Sequence, residues 1–395
     1  MTDRKPRIRL FNVKFSPNLG DGLLSECLEM AARECGSDAE GTYSIDLSAR
    51  TAYERGAASR SMVLKVLAGL PAPLRQVATS VPRELLLRRK WRPHYERHSA
   101  DADAVVVGGG NLLTDMDLNF PVKVASALDL AHRRRLPSAI YGVGVSSKWS
   151  EKGTRIMRAA LSRARPVYIS VRDDSSKRNF DRLFADAAQR EASVVRDPGL
   201  MIARYVTAEA SGAPARIGVC VTSSVAIRYH SAETVSDTDM AAWYGNLCAR
   251  LAERGHAVLA FTNGSPEDET VLDEIEADLR SRSGPGFERR RPVSPSELAA
   301  LIGSLSGLVA HRMHAIIAGV SFEVPVYALL WDEKLEAFMR SIGEDDAMAF
   351  ARPGNEAEVI DGLERRLARP ARKPAGELID ETFASARDLF ARFTR

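Results

Sequence analysis

Short apolar runs alternate along the chain with helix-length amphipathic stretches, the pattern of β-α units that build parallel sheets covered by helices. In the first half the runs Ile8–Val13, Ala104–Val107, Ser138–Val143 and Val167–Val171 are each followed by a polar or Gly-rich turn and then a helical pattern. In the second half the same rhythm returns with Arg216–Thr222, Ala257–Phe261, Gly307–Ala310 and Val324–Leu329, and with helices expected around Met240–Glu253, Glu267–Arg280 and Glu297–Gly303. The last of these has an explicit start signal. Ser294 stands at the N-cap, Pro295 at the first helical position and Glu297 at the third, so that side chains and backbone N–H groups can satisfy one another.

Between the halves, residues 202–215 lose periodicity and gather Ala, Ser, Gly and Pro, which places a domain joint near residue 205. The expected organisation is α/β, with Rossmann-like domains over 1–204 and 205–355. A helical tail over 356–395, interrupted by Pro370 and Pro374, is expected to pack at the domain junction. Length agrees with two domains, since 395 residues exceed what a single core usually serves.

The charge is too balanced to imply nucleic-acid binding: 55 Lys+Arg against 52 Asp+Glu leave only +3, so any anion site must be local. Cys27, Cys35, Cys220 and Cys248 show no C-x-x-C spacing and read as buried free thiols. The first residues run straight into a strand pattern without an apolar leader, and no run of 18 apolar residues occurs, so the expected location is cytoplasmic. One local departure is Arg88–His98, with five Arg/Lys beside Trp91 and Tyr95. It reads either as a solvated basic connection or as a surface for phosphorylated or lipid-linked molecules, where cations and aromatics suit headgroups.

In parallel α/β sheets ligands collect beyond the carboxyl ends of the strands, where loops enter helix N-termini that favour anions. The first such loop is Asn18-Leu19-Gly20-Asp21-Gly22 and the second Gly108-Gly109-Gly110-Asn111; each fits a ligand-facing backbone or a purely structural tight turn. Arg172 ends the fourth strand of the first half, with a fork of donors suited to a carboxylate or phosphate, or to pairing with Asp173, Asp174 or Asp197. In the second half the strand ending at Ala310 runs into His311-Arg312-Met313-His314 and a small-residue helix, and Lys334 opens the helix after the next strand. The pair Asp101/Asp103 precedes a strand, the wrong end for a ligand, and Asp115/Asp117 fall where a polar loop is expected, so no metal is assigned to them. Serine-hydrolase, zincin and thiol-redox motifs are absent from the sequence.

In this order, Asn18…Gly20-Asp21, Gly108-Gly109-Gly110-Asn111, Ser170-Val171-Arg172-Asp173…Ser176, Asp197-Pro198, Arg312-Met313-His314 and Asp332…Lys334 resemble the polysaccharide pyruvyltransferase family, across residues 12–334. The resemblance implies a GT-B-like architecture with an inter-domain cleft, the acceptor side on the N-terminal domain and the donor side on the C-terminal one. The donor would be phosphoenolpyruvate, used as co-substrate with no cofactor or metal. The resemblance makes His314 the general acid, Arg172 and Lys334 the cations that hold the donor, and Arg312 their helper. Asn18, Gly20, Asp21, Gly108, Gly109, Gly110 and Asn111 would line the cleft. Trp331-Asp332-Glu333 before Lys334 departs from the family pattern, and segment 84–98 matches no family role. The acceptor is expected to be a saccharide, with lipid linkage, peripheral attachment to the inner membrane surface and homo-oligomerisation left open and nucleic acid not expected. Two other readings share the fold: a glycosyltransferase using a nucleotide sugar, and a non-catalytic binding protein.

Overall fold

A computed structural model describes residues 4–53, 84–211, 214–224 and 236–394; two positions of the expected linker, 212 and 213, lie outside them. The chain divides by contacts into two units, one comprising Met1–Ser16, Leu24–Pro198 and Glu381–Arg395, the other Pro17–Leu23 and Gly199–Asp380.

The first unit holds the parallel strands β1 (Ile8–Asn12), β2 (Tyr43–Asp46), β3 (Ala104–Gly108), β4 (Ser138–Val143), β5 (Tyr168–Val171) and β6 (Ser193–Val194), in the order β2-β1-β3-β4-β5-β6. Around them lie α1 (Leu19–Glu34), a π-helical turn (Leu87–Trp91) running into α2 (Arg92–His98), α3 (Asn119–Arg133), α4 (Glu151–Ala164) and α5 (Asp174–Ala188). The first residues of α1 are grouped with the second unit. Chain order reverses between β1 and β3, so the crevice at the carboxyl ends of these two strands is the switch point of this sheet. The loops after β1 and β3 carry Asn18–Asp21 and Gly108–Asn111.

The second unit contains a short α6 (Ile202–Tyr205), then β7 (Arg216–Cys220), α7 (Asp237–Glu253), β8 (Ala257–Phe261), α8 (Pro266–Ser283), β9 (Phe287–Arg289) and α9 (Pro295–Gly303). It continues with β10 (Gly307–Ala310), α10 (Met313–Ser321), β11 (Val326–Leu330), α11 (Glu333–Ser341), β12 (Met348–Phe350) and α12 (Glu356–Leu367). The order β12-β11-β10-β7-β8-β9 is that of a dinucleotide-binding Rossmann sheet, with its switch point between β7 and β10. Of the closing helices, α12 packs on α7 and β11 in this unit, whereas α13 (Ala375–Phe390) is divided between the units at Asp380/Glu381.

The eight apolar runs read from the sequence all form strands, and they are the inner strands of the two sheets. Buried on both faces, they are predominantly apolar, with polar exceptions such as Arg9, Asn12 and Ser170. The unexpected strands β2, β6, β9 and β12 are the four sheet edges, two to four residues long and partly exposed, so they lack that signature.

Helix starts follow local chemistry. Ser150, Asp173, Ser236, Ser294 and Asp332 each accept a backbone N–H of the helix they open. At α9 the expected reciprocity is displaced by one residue: Glu297 accepts from the N–H of Val293 at 3.0 Å rather than from that of Ser294.

Candidate active site

The crest of the second sheet is built from the ends of β7, β8 and β10, in register as Phe261, Cys220 and Ala310. Just past β10, His311 is fully buried. The Tyr244 hydroxyl accepts from the N–H of Thr222 at 3.0 Å and stands 3.1 Å from His311 Nδ1. Burial, aided by the neighbouring Arg312 cation, pushes the imidazole down to about 3, so His311 is neutral and shares one hydrogen bond with the Tyr244 hydroxyl through Nδ1. It is a structural histidine.

Arg312 is the N-cap residue of α10 and is fixed in place. Its Nε lies 2.8 Å and a terminal nitrogen 2.6 Å from Asp268 Oδ2, and the second of these also reaches Ser265 at 3.1 Å. The other oxygen of Asp268 accepts from the N–H of Ser223 at 2.9 Å. Burial opposes the Arg312 charge, and Asp268 more than offsets it, so the pKa stands above the ordinary guanidinium value. The guanidinium carbon lies 5.2 Å from the Trp331 ring centre, and Trp331 precedes the Asp332-capped helix on whose first turn Lys334 sits.

His314 is the second residue of α10, in its first turn, and is 9% exposed. It meets the loop after β1, which the contacts group with this unit. Asn18 Oδ1 accepts from Gly20 N at 3.2 Å, and Leu19 N donates to the carbonyl of Asn263 beyond β8 at 2.7 Å, which stitches the start of α1 to the crest. A Cβ on Gly20 would lie 2.6 Å from His314 Cβ and 2.7 Å from Nδ1, so only glycine allows this approach. Asp21 Oδ1 stands 3.9 Å from His314 Nδ1. The second unit therefore gathers Asn18, Gly20, Asp21, Arg312 and His314, with Lys334 linked to them through Trp331.

Arg172 and the Gly108–Asn111 loop belong to the first unit. Gly109 and Gly110 have φ of +78° and +77° and fold the chain back on β4: Gly109 N donates to Tyr141 O at 3.0 Å, and Gly110 O accepts from Gly144 N at 2.9 Å. The N–H of Gly109 is thus committed to the sheet rather than left bare. Gly144 in turn leaves space between two functional groups, because a Cβ there would lie 2.6 Å from Asn111 Oδ1 and 3.1 Å from Arg172 Nε. Arg172 has a side chain 5% exposed. Its nearest carboxylates, Asp173 at 3.6 Å and Asp197 at 3.7 Å, are ion-paired but too distant for good hydrogen bonds. Arg172 Nε and Asn111 Oδ1 are both buried without a hydrogen-bond partner among the described residues.

The acidic pairs are taken up by structure. Asp115 accepts from Ser150 N, Ser150 Oγ and Leu118 N at the start of α4 and α3. Asp101 and Asp103 pair with Arg4, Arg7 and Arg9. Sequence reasoning missed Asp268, Gly144, Tyr244, Thr222 and Asn263. Thr222 Oγ1 and Asn263 Nδ2 are likewise buried without partners among the described residues, side by side where β7 and β8 end. The available signal was their position directly after apolar strand runs.

The chain resembles solved nucleotide-sugar enzymes in fold. A UDP-GlcNAc 2-epimerase from Methanocaldococcus jannaschii aligns at 13% identity and TM-score 0.54, covering 97% of this chain and 99% of that one. A putative UDP-N-acetylglucosamine 2-epimerase from Listeria monocytogenes aligns at 11% and 0.56, covering 98% and 95%. Arabidopsis thaliana UGT89C1, solved with UDP, aligns at 9% and 0.51, covering 99% and 100%. The architecture is GT-B-like, two Rossmann-like units. No curated protein matches the sequence significantly. The family model for polysaccharide pyruvyl transferase matches residues 18–333, from the loop after β1 to the start of α11, and the chain belongs to that family.

Proposed function

We propose that this pyruvyl transferase moves the pyruvyl group of phosphoenolpyruvate onto two hydroxyls of a saccharide as a ketal. The observation that carries the reading is Arg172, a sequestered guanidinium whose Nε has no hydrogen bond among the described residues, near an Asn111 Oδ1 that likewise has none among them, across the gap that Gly144 leaves. A buried cation with unspent donors costs stability unless a ligand completes it, and a guanidinium fork matches a carboxylate or phosphate. In this reading Arg172 and Lys334 hold the two anionic groups of the donor, and Arg312, already oriented by Asp268, adds positive potential beside His314.

The chemistry then requires one acid. His314 gives a proton to the methylene carbon of the donor. The electron pair of the double bond forms the new C–H bond and leaves an oxocarbenium centre, which an acceptor hydroxyl attacks with loss of its proton. The C–O bond to phosphate breaks, inorganic phosphate departs with the electron pair, and a second hydroxyl closes the ketal, releasing another proton. The Asp21 carboxylate, 3.9 Å from His314 Nδ1, stands on the side of the ring from which it can orient it.

The test is phosphate release from phosphoenolpyruvate over a panel of acceptor glycans, with mass spectrometry for the gain of one pyruvyl unit. His314→Ala should retain donor binding and lose turnover by about 10²–10⁴-fold, the usual worth of general acid catalysis. Thermal stabilisation by phosphoenolpyruvate and not by UDP supports the reading; the reverse pattern replaces it with a nucleotide-sugar transferase.

A further inference from the structure

Residues 84–98 form one continuous helix in which the π turn Leu87–Trp91 is followed by α2. Leu87, Trp91 and Tyr95 are its buried residues. A spacing of four falls short of a full turn in π geometry and overshoots it in α geometry, so the π turn brings all three back into one line against the core. Tyr95 donates to Leu47 O at 2.6 Å and packs edge-on to Phe11, and Lys123 lies 4.6 Å from the Trp91 ring centre. Both aromatics that the sequence offered to a ligand are therefore in the core.

The opposite face is unusual. Leu85 and Leu86, 48% and 43% exposed, are among the most exposed large apolar side chains of the described residues, and they adjoin Arg88, Arg89, Lys90 and Arg92, all exposed. The helix has five Arg/Lys against Glu84 and Glu96, an excess equal to the +3 of the whole chain. Arg88 pairs with Glu84 at 2.6 Å and Glu96 with Arg133 at 3.1 Å, whereas Arg89, Lys90 and Arg92 have no ion pair among the described residues.

We infer that this face docks on an anionic lipid bilayer, with Leu85 and Leu86 entering the headgroup boundary and Arg89, Lys90 and Arg92 meeting lipid phosphates. Apolar side chains ringed by unpaired cations complement a surface that is oily below and negative above. Single-stranded nucleic acid is the poorer match, because it is gripped by exposed stacking rings and those of this helix are buried. The inference does not depend on the transfer reaction. Among the described residues no helix is long and apolar enough to cross a membrane, so attachment of this kind would be peripheral.

The test is cosedimentation of the full chain with phosphatidylcholine vesicles, with and without phosphatidylglycerol, at low and physiological salt. The wild-type chain should sediment with the anionic vesicles alone, less so as salt rises. Each cation near such a surface multiplies partitioning about five-fold, so R89Q/K90Q/R92Q should lower it about a hundred-fold at low salt. L85S/L86S should weaken binding at every salt concentration. Both variants should keep the wild-type melting temperature. Absence of wild-type binding, equal binding to neutral vesicles, or wild-type binding by both folded variants would each overturn the inference. RNA displacing the chain from anionic vesicles would reassign the surface.

Discussion

Replacing Gly20 by Ala tests the link between the loop after β1 and the reacting group. The new methyl would begin 2.6 Å from His314 Cβ and 2.7 Å from Nδ1, against about 3.5–4.0 Å for an unstrained carbon contact, so His314 or the start of α1 must move by about 1 Å. Two opposing terms set stability. Ala gains up to about 1 kcal/mol over Gly in a helix, and overpacking costs about 1–3 kcal/mol, so the net loss should be at most about 3 kcal/mol and the chain should still fold. Activity should respond more sharply, because a 1 Å misplacement of a catalytic group can cost about 10²-fold. The assay pairs steady-state phosphate release at saturating acceptor with a melting curve. Gly376→Ala, at the start of α13 with nothing within 4 Å of the added carbon, serves as control and should leave turnover unchanged. Wild-type turnover in a folded Gly20→Ala protein would refute the idea that this contact positions His314 for chemistry.

Arg172→Ala should raise the donor KM strongly, and Arg172→Lys should fail to restore it, since an ammonium cannot reproduce the fork; donor titrations of both variants decide this. Gly144→Ala, whose methyl would lie 2.6 Å from Asn111 Oδ1, should likewise raise the donor KM at nearly unchanged stability, seen by the same titration beside a melting curve. For His311 the unfolded chain takes up a proton as pH falls below about 6.5, while the folded chain resists until about 3. Stability should therefore fall with decreasing pH through that window by about 1.4 kcal/mol per unit. Urea titrations at successive pH values should show wild type losing about 2 kcal/mol more than His311→Gln between pH 6.5 and 5.

The inner strands were legible because burial on both faces demands predominantly apolar runs, and the edges were not because half-exposed residues such as Tyr43-Ser44-Ile45-Asp46 need no such run. The candidate cations stood out through position alone: Arg172, Arg312 and Lys334 follow strand ends. Their employment did not. Arg312 and Arg172 look alike in sequence, yet Arg312 is paired with Asp268, 44 positions away, and Arg172 keeps an unspent Nε. Such differences arise from long-range pairing, which local pattern does not encode. The inward facing of Trp91 and Tyr95 was hidden for a related reason, since a π turn aligns them with Leu87 toward the core where no simple periodicity announces it.

The abbreviated outer strands bear on how the protein behaves when concentrated. A neighbouring molecule seeking to extend either ladder would find only four residues at β2, two at β6, three at β9 and three at β12, and beyond β9 it would also meet Arg290 and Arg291. Intermolecular strand addition is disfavoured where the template is so short and so charged. Neutralising those arginines should therefore lower the concentration at which the chain self-associates, even though no residue of the proposed chemistry is touched.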